Sequence, residues 1–560
     1  MTQRTSHPYI SVLKSRFADG EIDRREFLRT ATLLGVSATA AYGFVGCLTG
    51  KSVVAPARAA TAQGGTLRIG SRIKAIDNPA TYSWGQYDSN ICRQVCEYLT
   101  LTGRDNITRP YLLEKWEPSE DLKTWTLRLR QDVKWHDGRS FTAEDVAWNL
   151  NHVLDEKTGS SMIGLMKGYL LEDYDTGEKD DAGNSKMGTR LWSDKAIEIV
   201  DDHTVRLNAK EPQLAVPEHL FHYPMAILDP KENGKFGVGS NGTGPFELTA
   251  FEVGRKAVFK ARKDYWGKAA SLETIEVIDV GDDPSAGVAS LTTGQIDGLG
   301  TASAAQLDAL KAVQRLTMYR VSTAQTAVAR TKVTEKPFDD PRVRKAMRLA
   351  VDVKQELEIA LLGFGLTAEH HHVAPIHPEY AKLPPFNRDV AAAKALLAEA
   401  GHPNGIQTEI WVANDYPWHA VAIQAMANQL KEADIRLDIK VVPGATYWDV
   451  WTKVPVGFTV WYHRPLGIMA LGLAYRTGVP WNESGYANPE FDRLLTKAEG
   501  ILDVDKRREV MAELEKIMQE DGPIVQPVWE DLYTFMDKKV QGFEMHPTGY
   551  IFGNELSIQS

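Results

Sequence analysis

The period of apolar positions changes repeatedly along the chain, and each change marks an element. Thr66 to Gly70 (TLRIG) predicts a short strand, and after an irregular Asn/Pro/Ser/Gly stretch a helix is expected from Asn90 through Leu99. Trp125-Thr126-Leu127-Arg128-Leu129-Arg130 alternates strictly, the mark of a half-buried strand, and the pattern breaks at the turn dipeptide Asp137-Gly138. Thr142 followed by Ala143, Glu144 and Asp145 predicts a capped helix start running to Leu154, because a hydroxyl can satisfy free amides and acids suit the helix dipole. Asp173 to Ser185, acidic and glycine-containing, reads as an exposed loop. A strand pattern reopens at Gly242-Thr243-Gly244-Pro245-Phe246 and continues through Phe259. Asp339-Asp340-Pro341 begins a helix, Val390–Gly401 and Ala420–Ala433 read as helices, and Arg436–Val442 as a strand. With no internal repeat of solenoid period, the pattern is α/β throughout.

Composition narrows the class. At 560 residues, 43% hydrophobic and 25% charged, the chain is long enough for several domain-sized units and globular in balance. Its first 59 residues hold eight basic and four acidic side chains, so the remainder stands near −14. A body that acidic lacks the basic face that displaces phosphate counterions, which excludes non-specific nucleic-acid binding. Thr30 to Leu48 is apolar but diluted by Gly35, Ser37, Gly43 and alanines, weak for a membrane span. Immediately before it, Asp23-Arg24-Arg25-Glu26-Phe27-Leu28-Arg29 resembles the twin-arginine export signal, with Arg24 and Arg25 as the pair and Phe27 and Leu28 as the apolar pair. That resemblance implies a signal over 1–59, passage through a Tat translocase and a periplasmic product. Ala57-Arg58-Ala59 before Ala60 fits a peptidase site, and Phe44-Val45-Gly46-Cys47 is the alternative, a lipid anchor at Cys47.

Other features carry little chemistry. Cys92 and Cys96 stand one helical turn apart, which aims the Cβ atoms poorly for a bridge, so two buried thiols are expected. Gly50-Lys51-Ser52 resembles the end of a phosphate-binding loop, but Val45 occupies the position of its first glycine. His136, in Trp135-His136-Asp137-Gly138, is expected to be a hydrogen-bonded scaffold residue, and Asp339-Asp340 to cap a helix rather than form a catalytic pair. His370-His371-His372, with His377 beyond, cannot all converge on one ion from an extended backbone, so no metal or cofactor is expected.

Five ordered stretches resemble the extracytoplasmic solute-binding proteins of ABC transporters, family 5, the peptide, nickel and oligopeptide-binding group. They are PYLLEKWEP from Pro110 running into TWTLRLRQDVKWHDGRSFTAEDVAWN, GTGPFELTAFEVGRKAVFKARKDYWG, LTTGQIDG from Leu291, PFDDPRVRKAMRLAVD from Pro337 and AAAKALLAEAGHPNG from Ala391. Trp481–Leu495 and the segment at Val528 extend the resemblance over nearly everything after residue 64. It implies the α/β, two-lobed periplasmic-binding-protein fold, type II, cluster C. Lobe I would collect 64–97, 241–325 and 530–560, an extra domain 98–240, and lobe II 326–529, with Gly242–Phe246 as a lobe-crossing turn. The implied function is a monomeric, non-enzymatic receptor that captures a peptide or peptide-like solute and delivers it to an ABC permease with its ATPase. An exported enzyme or a periplasmic chaperone reusing the fold is the alternative, and no GxSxG or HExxH motif supports an enzyme.

Dipeptide-binding members carry a tryptophan in a segment resembling Ala445-Thr446-Tyr447-Trp448-Asp449, and an aspartate further along anchors the peptide amine. Here the later segment reads FTVWYHRPL from Phe458, without an Asp and with Arg464. The charge is reversed, so an ordinary dipeptide amine would meet repulsion there. Six tryptophans lie between Trp411 and Trp481. From the resemblance, Trp448, Trp461, Tyr462, His463, Arg464 and Trp418 are candidate ligand contacts, with Trp84 and Tyr87 after the first strand. Arg464 either anchors an anionic group of the solute or pairs with an acid such as Asp449 or Glu483.

Overall fold

The computed structural model describes residues 7–49, 64–81, 85–179, 183 and 185–559. Trp84, the residues at Gly50-Lys51-Ser52 and the peptidase-site residues Ala57 to Ala60 lie outside the described residues. The chain falls into two compact units, Met1–Gly300 with Val313–Thr317 and Phe535–Ser560, and Thr301–Ala312 with Met318–Thr534.

In the first unit, Thr66–Ser71 pairs parallel with Thr274–Asp279, and Lys256–Ala261 and Phe246–Glu252 continue that sheet antiparallel. Leu67 and Ile69 are buried while Arg68 between them is half-exposed, the alternation the sequence showed. A second, antiparallel sheet runs Leu113–Pro118, Thr124–Leu129, Thr204–Asn208, Ile197–Asp201. Trp125, Leu127 and Leu129 alternate into its core. The Asp137-Gly138 turn closes with Trp135 N–H donating to the Arg139 carbonyl at 2.9 Å and Gly138 at φ 84°. Helix Ala143–Leu154 starts as expected, the Asp145 carboxylate accepting from Thr142 N–H at 2.9 Å. His136 is half-buried against the Gly244 carbonyl at 3.2 Å, and burial lowers its pKa to about 4, a neutral scaffold imidazole.

Three expectations in this unit need correction. Asp173 to Ser185 is largely hairpin: Leu171–Lys179 pairs antiparallel with Ser185–Leu191, and the acidic strand meets a basic one through Glu172–Arg190 at 2.9 Å and Glu178–Lys186 at 3.2 Å. The first helix spans Gln86–Cys92 and does not reach Leu99. Its continuation is blocked because Gly244 N–H and Phe246 N–H take the carbonyls of Val95 and Gln94, at 2.8 and 3.0 Å. The same bonds correct the role of Gly242–Phe246, which folds back within the first unit and does not pass between the two. A Cβ on Gly242 would sit 2.0 Å from the Val95 oxygen, so the close approach requires glycine. Cys92 and Cys96 are both buried and free, and the Cys92 neighbour and burial push the Cys96 thiol up.

In the second unit the strand order is Val528–Asp537 as far as Thr534, Leu316–Thr331 from Met318 onward, Val456–Trp461, Ile406–Ala413, Ile435–Val442. Ile406–Ala413 and Ile435–Val442 are parallel and joined by helix Pro417–Glu432, a β-α-β crossover. Met347, Ile410, Val412, Ile423, Met426 and Phe458 belong to the core beneath that helix and Pro341–Ala350. Asp340 caps the latter through Arg342 N–H, as expected. Within this core Arg330 pairs with Glu483 at 3.0 Å and donates to the carbonyls of Val454, at 2.7 Å, and Trp451. Both charged groups are almost wholly buried, and burial raises the Glu483 pKa against the Arg330 charge.

The N-terminal residues form helices Tyr9–Ala18, Arg24–Leu33 and Ala38–Thr49. The apolar stretch is thus interrupted at Gly35 to Ser37, and among the described residues no helix is long and apolar enough to cross a membrane.

Candidate functional site

The strand Val456–Trp461 alternates no polar face outward; all six residues are buried, as a central strand requires. At its end, Trp461, His463 and Arg464 are buried and Tyr462 half-buried. The segment is tied down through its backbone and rings. His463 Nδ1 accepts from Ala324 N–H at 3.0 Å, and the Arg464 carbonyl lies 3.0 Å from His377 Nε2. Because His377 Nδ1 accepts from Ala374 N–H, at 2.9 Å, Nε2 carries the proton and donates. The Arg464 guanidinium donates through Nη1 to the carbonyls of Tyr462 and His463 at 2.9 and 3.1 Å. Glu483, one of its two expected acid partners, is committed to Arg330 and accepts from Thr459 Oγ1 at 2.6 Å and Trp461 Nε1 at 3.1 Å.

Trp448 and Trp461 are joined by a run of edge-to-face rings: Trp448 to Trp451 at 5.7 Å, Trp451 to Trp481 at 6.5 Å, Trp481 to Trp461 at 5.7 Å. This run passes from a ring 38% exposed to one 4% exposed, so Trp448 is its solvent end. Trp418 reaches the same segment by another route. Its ring meets His419 edge-on at 4.5 Å, His419 stacks on Tyr416 at 4.6 Å, and the Tyr416 hydroxyl is hydrogen-bonded to that of Tyr462. Helix Pro417–Glu432 opens at this point with proline in its first turn, which places Trp418 and His419 at the carboxyl end of strand Ile406–Ala413. Trp448, Trp461, Tyr462, His463, Arg464 and Trp418 therefore belong to one neighbourhood of the second unit. Tyr87 is half-buried in helix Gln86–Cys92 of the first unit.

The histidine tract supports this neighbourhood from below. His370, His371 and His372 are all buried, and the outer two take positive φ, 62° and 61°. His370 Nδ1 accepts from Gln526 N–H at 3.0 Å, His371 Nδ1 from Val373 N–H at 3.3 Å, and His372 Nδ1 meets the Tyr475 hydroxyl at 2.7 Å. Among the described residues no three His, Cys, Asp or Glu side chains gather in a metal-holding group. Burial lowers the pKa of His370, His372 and His419 to about 3, which keeps these imidazoles neutral. His372 packs edge-on against Trp461 at 5.4 Å and tilts over Trp529 at 6.0 Å.

Sequence reasoning missed Trp529, Glu530 and Tyr475. The pair Trp529-Glu530 falls in a segment noted only for its resemblance, and nothing local singles out Tyr475. Glu530 accepts from Gln325 Nε2 at 2.5 Å, while Thr323 Oγ1 donates to its carbonyl at 2.6 Å. Residues 323 to 325 thus hold His463 and Glu530 from one strand. Burial pushes the Glu530 carboxyl up to about 7, opposed by Gln325 and Trp418. The indole N–H of Trp529 and both ring nitrogens of His419, all buried, have no hydrogen-bond partner among the described residues. Together these groups offer aromatic area, polar edges, a cation and an acid whose pKa burial raises, a set that can bind a small solute.

Residues 108–502 match the family described as bacterial extracellular solute-binding proteins, family 5 Middle, and the chain belongs to that family. It is a solute-binding receptor of extracytoplasmic type. The dipeptide-binding protein DppE of Bacillus subtilis (strain 168) is 26% identical over 486 residues, 82% of this chain and 85% of that one. Two solved structures share the fold: the ABC transporter-associated periplasmic binding protein DppA of Helicobacter pylori with the peptide STSA (TM-score 0.76, 21% identity), and AgaA of A.tumefacien R10 with agropinic acid (TM-score 0.77, 21% identity). Each covers 89% of this chain and 99% of the other. These relatives are binding proteins, not enzymes.

Proposed function

We propose that this receptor captures a small peptide-like solute bearing a carboxylate or other anionic group and passes it to an ABC permease and its ATPase. The observation that carries the reading is the convergence of Trp418, Trp461, Tyr462 and His463 with Arg464, in a segment that resembles the one whose aspartate holds the amine in dipeptide binders. Relatives bound to a peptide and to agropinic acid support a fold that accepts both peptides and other acids. Arg464 anchors the anionic group, Trp448, Trp461, Tyr462, His463 and Trp418 enclose the solute, and Glu530 receives a cationic or donor group. The test is calorimetry with the solute released from native protein. Arg464→Ala should weaken binding about 30-fold or more, and Arg464→Lys substantially, since an ammonium cannot reproduce a bidentate contact. Melting of the empty protein should stay nearly unchanged. A much lower melting temperature with affinity held within about threefold would make Arg464 scaffold.

The N-terminal 59 residues serve as a twin-arginine signal that delivers the folded chain to the periplasm, with cleavage after Ala59. Arg24 and Arg25 project from the exposed side of helix Arg24–Leu33, whereas Phe27 and Leu28 are buried. Replacing both arginines by lysine should hold the precursor in the cytoplasm, because the guanidinium pair is what is read. Unchanged periplasmic yield would mean another route.

A further inference from the structure

A leader that is only read and removed needs no tertiary fit to the body, yet this one has it. Helix Arg24–Leu33 packs on strand Thr108–Pro110, with Phe27 at 2% and Leu28 at 4% exposure. The Phe27 ring is stacked between Phe17 at 4.7 Å and Phe44 at 5.3 Å, so the three N-terminal helices share one small core. Specific polar bonds then join that core to the body. Trp116, 1% exposed, donates its indole N–H to the Leu33 carbonyl at 2.9 Å. Arg25 Nε donates to the Asp105 carbonyl at 3.0 Å, and Arg109, itself paired with Asp105, donates to the Tyr42 hydroxyl at 3.0 Å. Gly35 ends the helix at φ +81°, and a Cβ there would lie 2.7 Å from the Trp116 oxygen. Glu26 is buried and accepts from Arg29 Nη1 and Thr30 Oγ1, both at 2.9 Å.

We propose that the face formed by Asp105, Arg109 and Trp116 is a docking surface for the chain's own amphipathic signal helix, and that docking governs when the signal is available. The proposal rests on the export reading above. In the docked state Arg24 stands in solvent and Arg25 is held on the Asp105 carbonyl, while Phe27, Leu28 and the following apolar turn are covered. A translocase that must engage the apolar part has to wait for undocking, and a body that has not folded presents no Trp116 surface to dock on. The occupant is visible and its fit is directional: an N–H to carbonyl bond, an arginine to a backbone oxygen, and a glycine with no clearance.

Limited trypsin digestion of the full-length chain, read by mass spectrometry at the bonds after Arg25 and Arg29, tests the docking. Cleavage after Arg29 should be at least about tenfold slower than in a synthetic peptide of residues 20–49, since local opening must precede it. Gly35→Ala should remove most of that protection. Gly43→Ala, where an added Cβ meets nothing within 4 Å, supplies the same change in composition and should leave protection intact. In cells, Gly35→Ala should shorten the lifetime of the precursor severalfold relative to Gly43→Ala. Protection no better than in the peptide, or equal protection in both glycine variants, overturns the docking surface. Protection lost with precursor lifetime unchanged or lengthened overturns its control of export. If Arg24→Lys with Arg25→Lys exports normally while the trypsin result holds, the export reading fails and the docking surface stands.

Discussion

Two parts of the second unit bury cations, and they treat them differently. At the end of helix Val504–Glu520, Arg348 is fully buried and gives all three of its nitrogens to the carbonyls of Gln519, Glu520 and Gly522, while Arg344 pairs with Asp521 at 2.6 Å. The cations complement the carbonyl end of a helix and complete it. Around Trp461 to Arg464 the backbone is held just as firmly, but Trp529 Nε1 and both nitrogens of His419 remain without partners among the described residues, in a ring-lined setting. Arg348 has every guanidinium nitrogen satisfied by its own chain and is scaffold, whereas a buried polar group with bonding capacity to spare is one that a second molecule can complete.

Breaking the scaffold side should have the largest effect. Arg330→Met strands the buried Glu483 carboxylate and should cost about 3–5 kcal/mol of stability in denaturant unfolding. A loss under about 1 kcal/mol would show that the pair is not structural. Arg464→Ala should reverse the pattern, costing about 2–5 kcal/mol of solute binding with little change in the empty protein.

A third change sharpens the distinction between unused polar groups that bind and those that merely burden the core. Glu356 is fully buried, neither carboxylate oxygen has a partner among the described residues, and burial, with Asp352 adding to it, pushes its pKa up to about 8. A raised carboxyl favours the folded state below the unfolded pKa, and that contribution is lost as pH rises from 4.5 through about 8. Glu356→Gln should therefore lie within about 1 kcal/mol of the parent near pH 5 and exceed it by about 4 kcal/mol near pH 8, with solute affinity unchanged. A stability difference that does not grow with pH would contradict the raised pKa. The smallest effect belongs to the solvent end of the tryptophan run: Trp448→Ala should alter stability by no more than about 0.5 kcal/mol. A larger loss would make that ring part of the scaffold.

Local pattern made much of this legible. Strand Thr124–Leu129, the Thr142 cap and the Asp340 cap depend on neighbours within a few residues, and each formed where the sequence placed it. What failed depended on distant partners. The helix expected to reach Leu99 stops because Gly244 and Phe246, some 150 residues away, take its carbonyls, and the acidic loop becomes a hairpin because a basic strand lies opposite. In the candidate site, Trp418, Trp448 and Trp461 drew attention by concentration and by resemblance. Glu530 and Tyr475 did not, since only the pairing of residues 323 to 325 with Glu530 and the His372 to Tyr475 bond bring them in.

The central claim is that this chain is a receptor whose unused polar groups are completed by a small anionic, peptide-like solute. Native mass spectrometry of the protein isolated from the envelope of its own cells tests it most directly. One bound small molecule with a carboxylate or other acidic group is expected, released intact, that raises the melting temperature when returned to the emptied protein and is not turned over. Conversion of that molecule to product, or a tightly held solute with no anionic group, would contradict it.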